Sequence, residues 1–150
     1  MKSNINMKNL IIIFSLLFSS VAVAQKHNIV NASIALRNAQ KEKGDKIGSL
    51  LKEAKGYIDE AYDNENTSNS PKMWNYRAPI YLQIAIKDPA LDKDAVFKAT
   101  EAHIKCLQKD KKGRVVVRKW TSEEDVLSGL IKCGYKLFNL AIDNYNAENY

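Results

Sequence analysis

The chain is short of the residues from which most metal centres and covalent catalysts are built. Its 150 residues hold two cysteines and two histidines, too few for a framework of paired zinc ligands. Three prolines and six glycines exclude a collagenous or low-complexity chain. No GxSxG, HExxH or glycine-rich phosphate loop occurs, so no catalytic motif and no cofactor is indicated. Beyond residue 24 no stretch alternates apolar and polar residues in the manner of a half-buried strand. No apolar run there reaches the roughly 20 residues a spanning helix needs, so no stable membrane span is expected in that part. The formal net charge is +6. That excess chiefly aids solubility and is too small to argue for nucleic acid as a partner.

What is present begins with the segment MKSNINMKNLIIIFSLLFSSVAVAQ. Lys2 and Lys8 precede an apolar run from Leu10 to Phe18 broken only by Ser15, and Ala22-Val23-Ala24 supplies the small-x-small pattern of a cleavage site. Residues 1–24 read as a secretory signal peptide, cut after Ala24. The expected protein is periplasmic or secreted, with residues 25–150 as one domain.

Apolar residues in that domain recur at spacings of three and four, which predicts helices. The first spans Asn28 to Lys43 and stops at Gly44-Asp45. The second carries Ile47, Leu51, Ala54, Ile58, Ala61 and Tyr62. A polar loop, DNENTSNSPK, follows, and Ser70-Pro71 reads as an N-cap with proline at the first helical position. Pro79 lies inside the third helix and is expected to kink it rather than end it. Asp92 is the expected N-cap of the fourth helix. Thr121 with Glu124 forms the expected capping box of the fifth, which runs through Tyr145, with Asn146 to Asn149 as the turn beyond it.

Small and aromatic residues repeat along these helices. Ala54, Ile58, Ala61 and Ala95, Ala99, Ala102 share the spacing 0, +4, +7, as do Trp74, Ala78, Tyr81. The stretch PKMWNYRAPIYLQIA followed by AVFKATEAHIKC resembles a tetratricopeptide repeat (TPR), with Trp, a small residue and Tyr on its first helix and Ala, an apolar residue and Ala on its second. It looks especially like the exported bacterial form. The resemblance implies an all-α fold of antiparallel helix hairpins stacked as a short TPR-like α-solenoid, about two repeats plus the first helix of a third. An unrelated helical bundle is the alternative. Arg77 stands where the family usually has Leu, Ala99 where it has an aromatic, and the inter-helix loop is longer by about five residues. The ending NAENY resembles the turn into a further helix at Tyr150. The chain therefore reads as truncated at its C-terminus, leaving its last helix without a mate and open to self-association.

The resemblance places a partner-binding concave face at Lys72, Asn75, Pro79, Leu82 and Gln83 on the third helix, and at Tyr135, Phe138, Ile142, Tyr145 and Asn146 on the last. The expected function is to bind a protein or peptide partner without catalysis. The competing reading is a small exported metal-dependent or Cys/His enzyme built on His103, Cys106 and Cys133, since residues three apart share a helix face. An exported chain with two cysteines also allows a Cys106–Cys133 disulfide, against two buried free thiols. The basic loop from Lys109 to Trp120 reads as solvated, with anion binding as its functional alternative.

Overall fold

The computed structural model describes residues 27–147. The signal-peptide reading of residues 1–24 and the turn into Tyr150 lie outside the described residues. Among these, the protein is all-α: α1 covers residues 27–41, followed by α2 (Ile47–Asp63), α3 (Pro71–Lys87), α4 (Ala95–Cys106) and α5 (Glu123–Asn146). No described helix is long and apolar enough to cross a membrane. An isolated antiparallel bridge, Lys109 to Val115, is the only extended pairing among the described residues.

Local chemistry sets the boundaries. α1 stops two residues before Lys43 because the Glu42 carboxylate accepts the backbone N–H groups of Lys43 and Gly44, both at 2.9 Å, offering them an alternative to helix bonding. Ser70 precedes Pro71 at the start of α3, and its carbonyl accepts from Met73 and Trp74 N–H. Proline at this position forfeits no helical bond. α3 then continues through Pro79 to Lys87.

Two expected caps are corrected. Asp92 does not cap α4. Asp94 takes that position, while Asp92 accepts the Asp94 N–H at 3.0 Å and holds Lys98 at 2.7 Å. The box of α5 is shifted by one residue: Ser122 Oγ accepts the Asp125 N–H at 3.0 Å and donates to the Asp125 carboxylate at 2.7 Å. Glu123, Glu124 and Asp125 all fall in the first turn of α5, where the helix dipole favours negative charge. α5 also runs on through Asn146, so that residue is helical and not part of the following turn.

α3 is the central element, packed against α2, α4 and α5, while α4 also packs on α5. α1 closes over α2, tied by Asn28 Nδ2 to Glu60 Oε2 at 2.8 Å, and buries Ile29, Ala32 and Leu36. All nine residues of the three 0, +4, +7 sets are buried. Alanine there brings helix backbones close, and the larger side chains fill the space beside them. Full burial of a residue such as Ile58 contributes about 1.5–3 kcal/mol.

Arg77 is buried between α2 and α3. Its guanidinium lies 4.0 Å from the Tyr62 ring centroid and 4.5 Å from that of Tyr81. Nη1 donates to Asp59 Oδ1 at 2.6 Å, and the Tyr81 hydroxyl donates to the same oxygen. Lys55 holds the other carboxylate oxygen at 2.9 Å. Burial opposes charge on Asp59, but the hydrogen bonds from Lys55, Tyr81 and Arg77 outweigh it and keep the carboxyl below its usual range. The Arg77 charge is accommodated in the interior because two ring faces and a carboxylate surround it.

Candidate binding groove

Asn75, Pro79, Leu82 and Gln83 of α3 line one cavity of about 270 Å³ between α3 and α5. Their spacing of 4, 3 and 1 places them on one helix face. Lys72, one turn earlier, does not line it. The opposite wall is α5, through Asp125, Ser128, Gly129 and Lys132, again spaced 3, 1 and 3. Gln40 of α1 contributes from one end, and His103 and Cys106 of α4 form the floor. Sequence reasoning did not single out Gln40, Asp125, Ser128 or Lys132. The shared face of the three α5 residues was a readable signal, but which helix it would oppose was not.

The other expected contacts lie elsewhere. Tyr135, Phe138, Ile142, Tyr145 and Asn146 are exposed along α5 and do not line the cavity. The structure therefore divides the expected concave face into a groove and a separate outer ridge. The helix phase explains the split: Val126, Gly129 and Cys133 are the buried side of α5, which turns the stripe from Tyr135 to Ile142 outward.

His103 is almost fully buried. Its Nδ1 lies 2.7 Å from the Ala99 carbonyl oxygen. A carbonyl only accepts, so Nδ1 carries the proton and Nε2 is left as an acceptor. Burial lowers the imidazole pKa, outweighing the backbone bond, and the ring is held neutral. Gly129 of α5 faces this ring so closely that an added Cβ would overlap Nε2 and Cδ2 of His103. The absence of a side chain at 129 is what lets α5 approach α4.

Cys106 and Cys133 are free thiols, both buried, and not a disulfide. Burial pushes the Cys106 thiol up to about 12 and raises that of Cys133 as well. Cys133 Sγ lies 3.9 Å from His103 Nδ1, whose proton is already committed to Ala99. A nucleophilic cysteine needs the reverse arrangement, a thiolate stabilised by a nearby cation. Among the described residues no group of three His, Cys, Asp or Glu is placed to hold a metal ion.

The basic loop folds on itself. Asp110 accepts the backbone N–H groups of Arg114 and Lys112 and the Arg114 side chain, and it pairs with Arg118 at 3.1 Å. These contacts, led by the Arg114 N–H, bring its carboxyl to about 2. Gly113, at φ 72°, makes the turn, and Val115 and Val117 anchor the loop in the interior.

No protein-family model, curated protein or solved structure matches the chain.

Proposed function

We propose that the protein is an exported helical-repeat scaffold that binds an extended peptide or a segment of another protein in the α3–α5 groove, without bond chemistry. The observation that carries the reading is the convergence of Asn75, Pro79, Leu82 and Gln83 on one cavity with Asp125, Ser128 and Lys132 opposite. Carboxamides both donate and accept, which suits a peptide backbone. Leu82 and Val126 offer an apolar seat, and Asp125 and Lys132 supply one charge of each sign. Pro79 has no N–H, so the Asn75 carbonyl one turn earlier lacks its helical donor.

The TPR-like solenoid is part of this proposal. It draws support from the burial of the three 0, +4, +7 sets and from α3 packing on both α4 and α5, as the first helix of one pair would pack on its own mate and on the first helix of the next. Export rests on the N-terminal segment alone.

Selection from a displayed random-peptide library tests the groove. Selected peptides should bind the protein measurably by fluorescence anisotropy. The double variant Asn75→Ala, Gln83→Ala should weaken them by about tenfold or more, and Ser128→Trp should block them. Peptides that bind all variants equally would refute the groove. Stoichiometric zinc in the purified protein, lost in Cys106→Ala, would overturn the non-catalytic reading in favour of the metal-dependent one.

A further inference from the structure

Leu127, Ile131, Tyr135, Phe138 and Ile142 stand exposed along α5, at 43%, 59%, 69%, 64% and 42%. Steps of 4, 4, 3 and 4 keep them on one side of the helix. Lys132 and Asn139 flank this stripe on the groove side, and Gly134 and Ala141 flank it on the other. We propose that the stripe pairs, antiparallel, with the same stripe on a second copy of this chain. The proposal goes beyond the groove reading and does not depend on it.

Three observations select this occupant. First, the order Ile131, Tyr135, Phe138, Ile142 is aliphatic, aromatic, aromatic, aliphatic at spacings 4, 3 and 4, so it reads alike in both directions. A two-fold axis between positions 135 and 138 sets Ile131 against Ile142 of the second copy and Tyr135 against Phe138. A two-fold interface must be self-complementary in this sense. Second, the same register sets Gly134 beside Ala141 of the second copy and Lys132 beside Asn139. Gly134 is exposed, and a Cβ there would meet nothing within 4 Å. Glycine at mid-helix weakens α5 without any need inside the monomer, whereas a second helix approaching on that flank gives it one. Third, the area suffices. With side-chain areas of roughly 150–250 Å², the exposed fractions amount to about 550 Å² per copy and about 1,100 Å² in all, above the roughly 1,000 Å² a biological interface should clear.

Antiparallel pairing is favoured over parallel by charge. Glu123, Glu124 and Asp125 open α5, and a parallel pair would set two such triads side by side. The antiparallel pair separates them and opposes the helix dipoles.

Sedimentation equilibrium of the purified protein over a concentration series tests the proposal. A monomer–dimer equilibrium is expected. Phe138→Asp should weaken it by about tenfold or more, and Gly134→Gln should weaken it with helix content by circular dichroism retained. Asn139→Glu should tighten it severalfold by meeting Lys132 of the second copy twice. A monomer at every concentration overturns the proposal and leaves the stripe to a different protein. A dimer indifferent to Phe138→Asp overturns it as well. A dimer that Phe138→Asp weakens but Asn139→Glu leaves unchanged overturns the antiparallel register. Peptide binding in the groove should survive Phe138→Asp, so failure here and failure of the groove reading are distinguishable.

Discussion

In Gly129→Ala a single methyl group enters the seam between α4 and α5, where the His103 imidazole already lies. The three nearest atoms to that methyl all belong to this ring. The ring cannot easily swing aside, because it is buried and tied through Nδ1 to the Ala99 carbonyl. Overpacking of this kind costs about 1–3 kcal/mol, and loss of the Ala99 bond adds about 1 kcal/mol. Alanine in place of glycine returns about 1 kcal/mol of helix propensity. The net expectation is a destabilisation of about 2 kcal/mol, or roughly 8 °C in Tm for a domain of this size. Gly134→Ala is the control. Its methyl group meets nothing within 4 Å, so at a fixed low protein concentration it should stabilise by up to about 1 kcal/mol. Urea denaturation followed by far-UV circular dichroism measures both. The cause is isolated by repeating Gly129→Ala in a His103→Ala background, where the obstructing ring is gone and the methyl group has room. There the substitution should turn neutral or stabilising. Equal cost in both backgrounds, or a Gly129→Ala protein as stable as Gly134→Ala, would refute the close-approach argument.

Three further outcomes follow from the buried charges and thiols. Arg77→Ala should cost about 3 kcal/mol in urea denaturation, because it leaves the Asp59 carboxylate without its buried partner; a loss below about 1 kcal/mol would mean that Lys55 and Tyr81 suffice. The folded Asp59 carboxyl is held below its usual range, so its contribution is fully present above the unfolded pKa and is lost as pH falls through the lower folded value. Asp59→Asn should therefore flatten, without abolishing, the loss of stability in acid, since Asp92 and Asp110 are also lowered; an unchanged acid limb would count against the cluster. Cys106 and Cys133 should react with a thiol reagent at mildly alkaline pH about a hundredfold more slowly when folded than in urea, and rapid labelling of the folded protein would show that the thiols are accessible.

Much of the helical framework was legible in the sequence. The stripe from Ile47 to Tyr62, the Ser70-Pro71 start and the acids in the first turn of α5 are local signals, and local signals act within one or two turns. The caps at Asp94 and Ser122 were missed by one or two residues. Neighbouring Asp, Ser and Thr side chains compete for the same backbone N–H groups, and only the loop's path decides the winner. The Arg77 departure was visible as an oddity, but its meaning was not. Asp59 lies 18 residues from Arg77 and 22 from Tyr81, both of which donate to it, and no periodicity links it to them.

Half of the candidate site was readable in the same way. One helix face placed Asn75, Pro79, Leu82 and Gln83 together, because a spacing of three and four fixes direction on a helix. The same rule placed Tyr135, Phe138 and Ile142 together. It could not say that the two faces point to different places, since the rotation of α5 about its own axis is set by what it packs against.

The sequence by itself thus determined the all-α class, the succession of five helices among the described residues and which residues share each face, because backbone hydrogen bonding and apolar periodicity are local. The tertiary structure alone decided that Gly129 admits the His103 ring, that α5 turns Val126 and Cys133 inward, and that Asp125, Ser128 and Lys132 close a groove over α3. Those outcomes depend on steric fit between segments far apart in the chain, and fit is a property of surfaces that exist only once the helices have met.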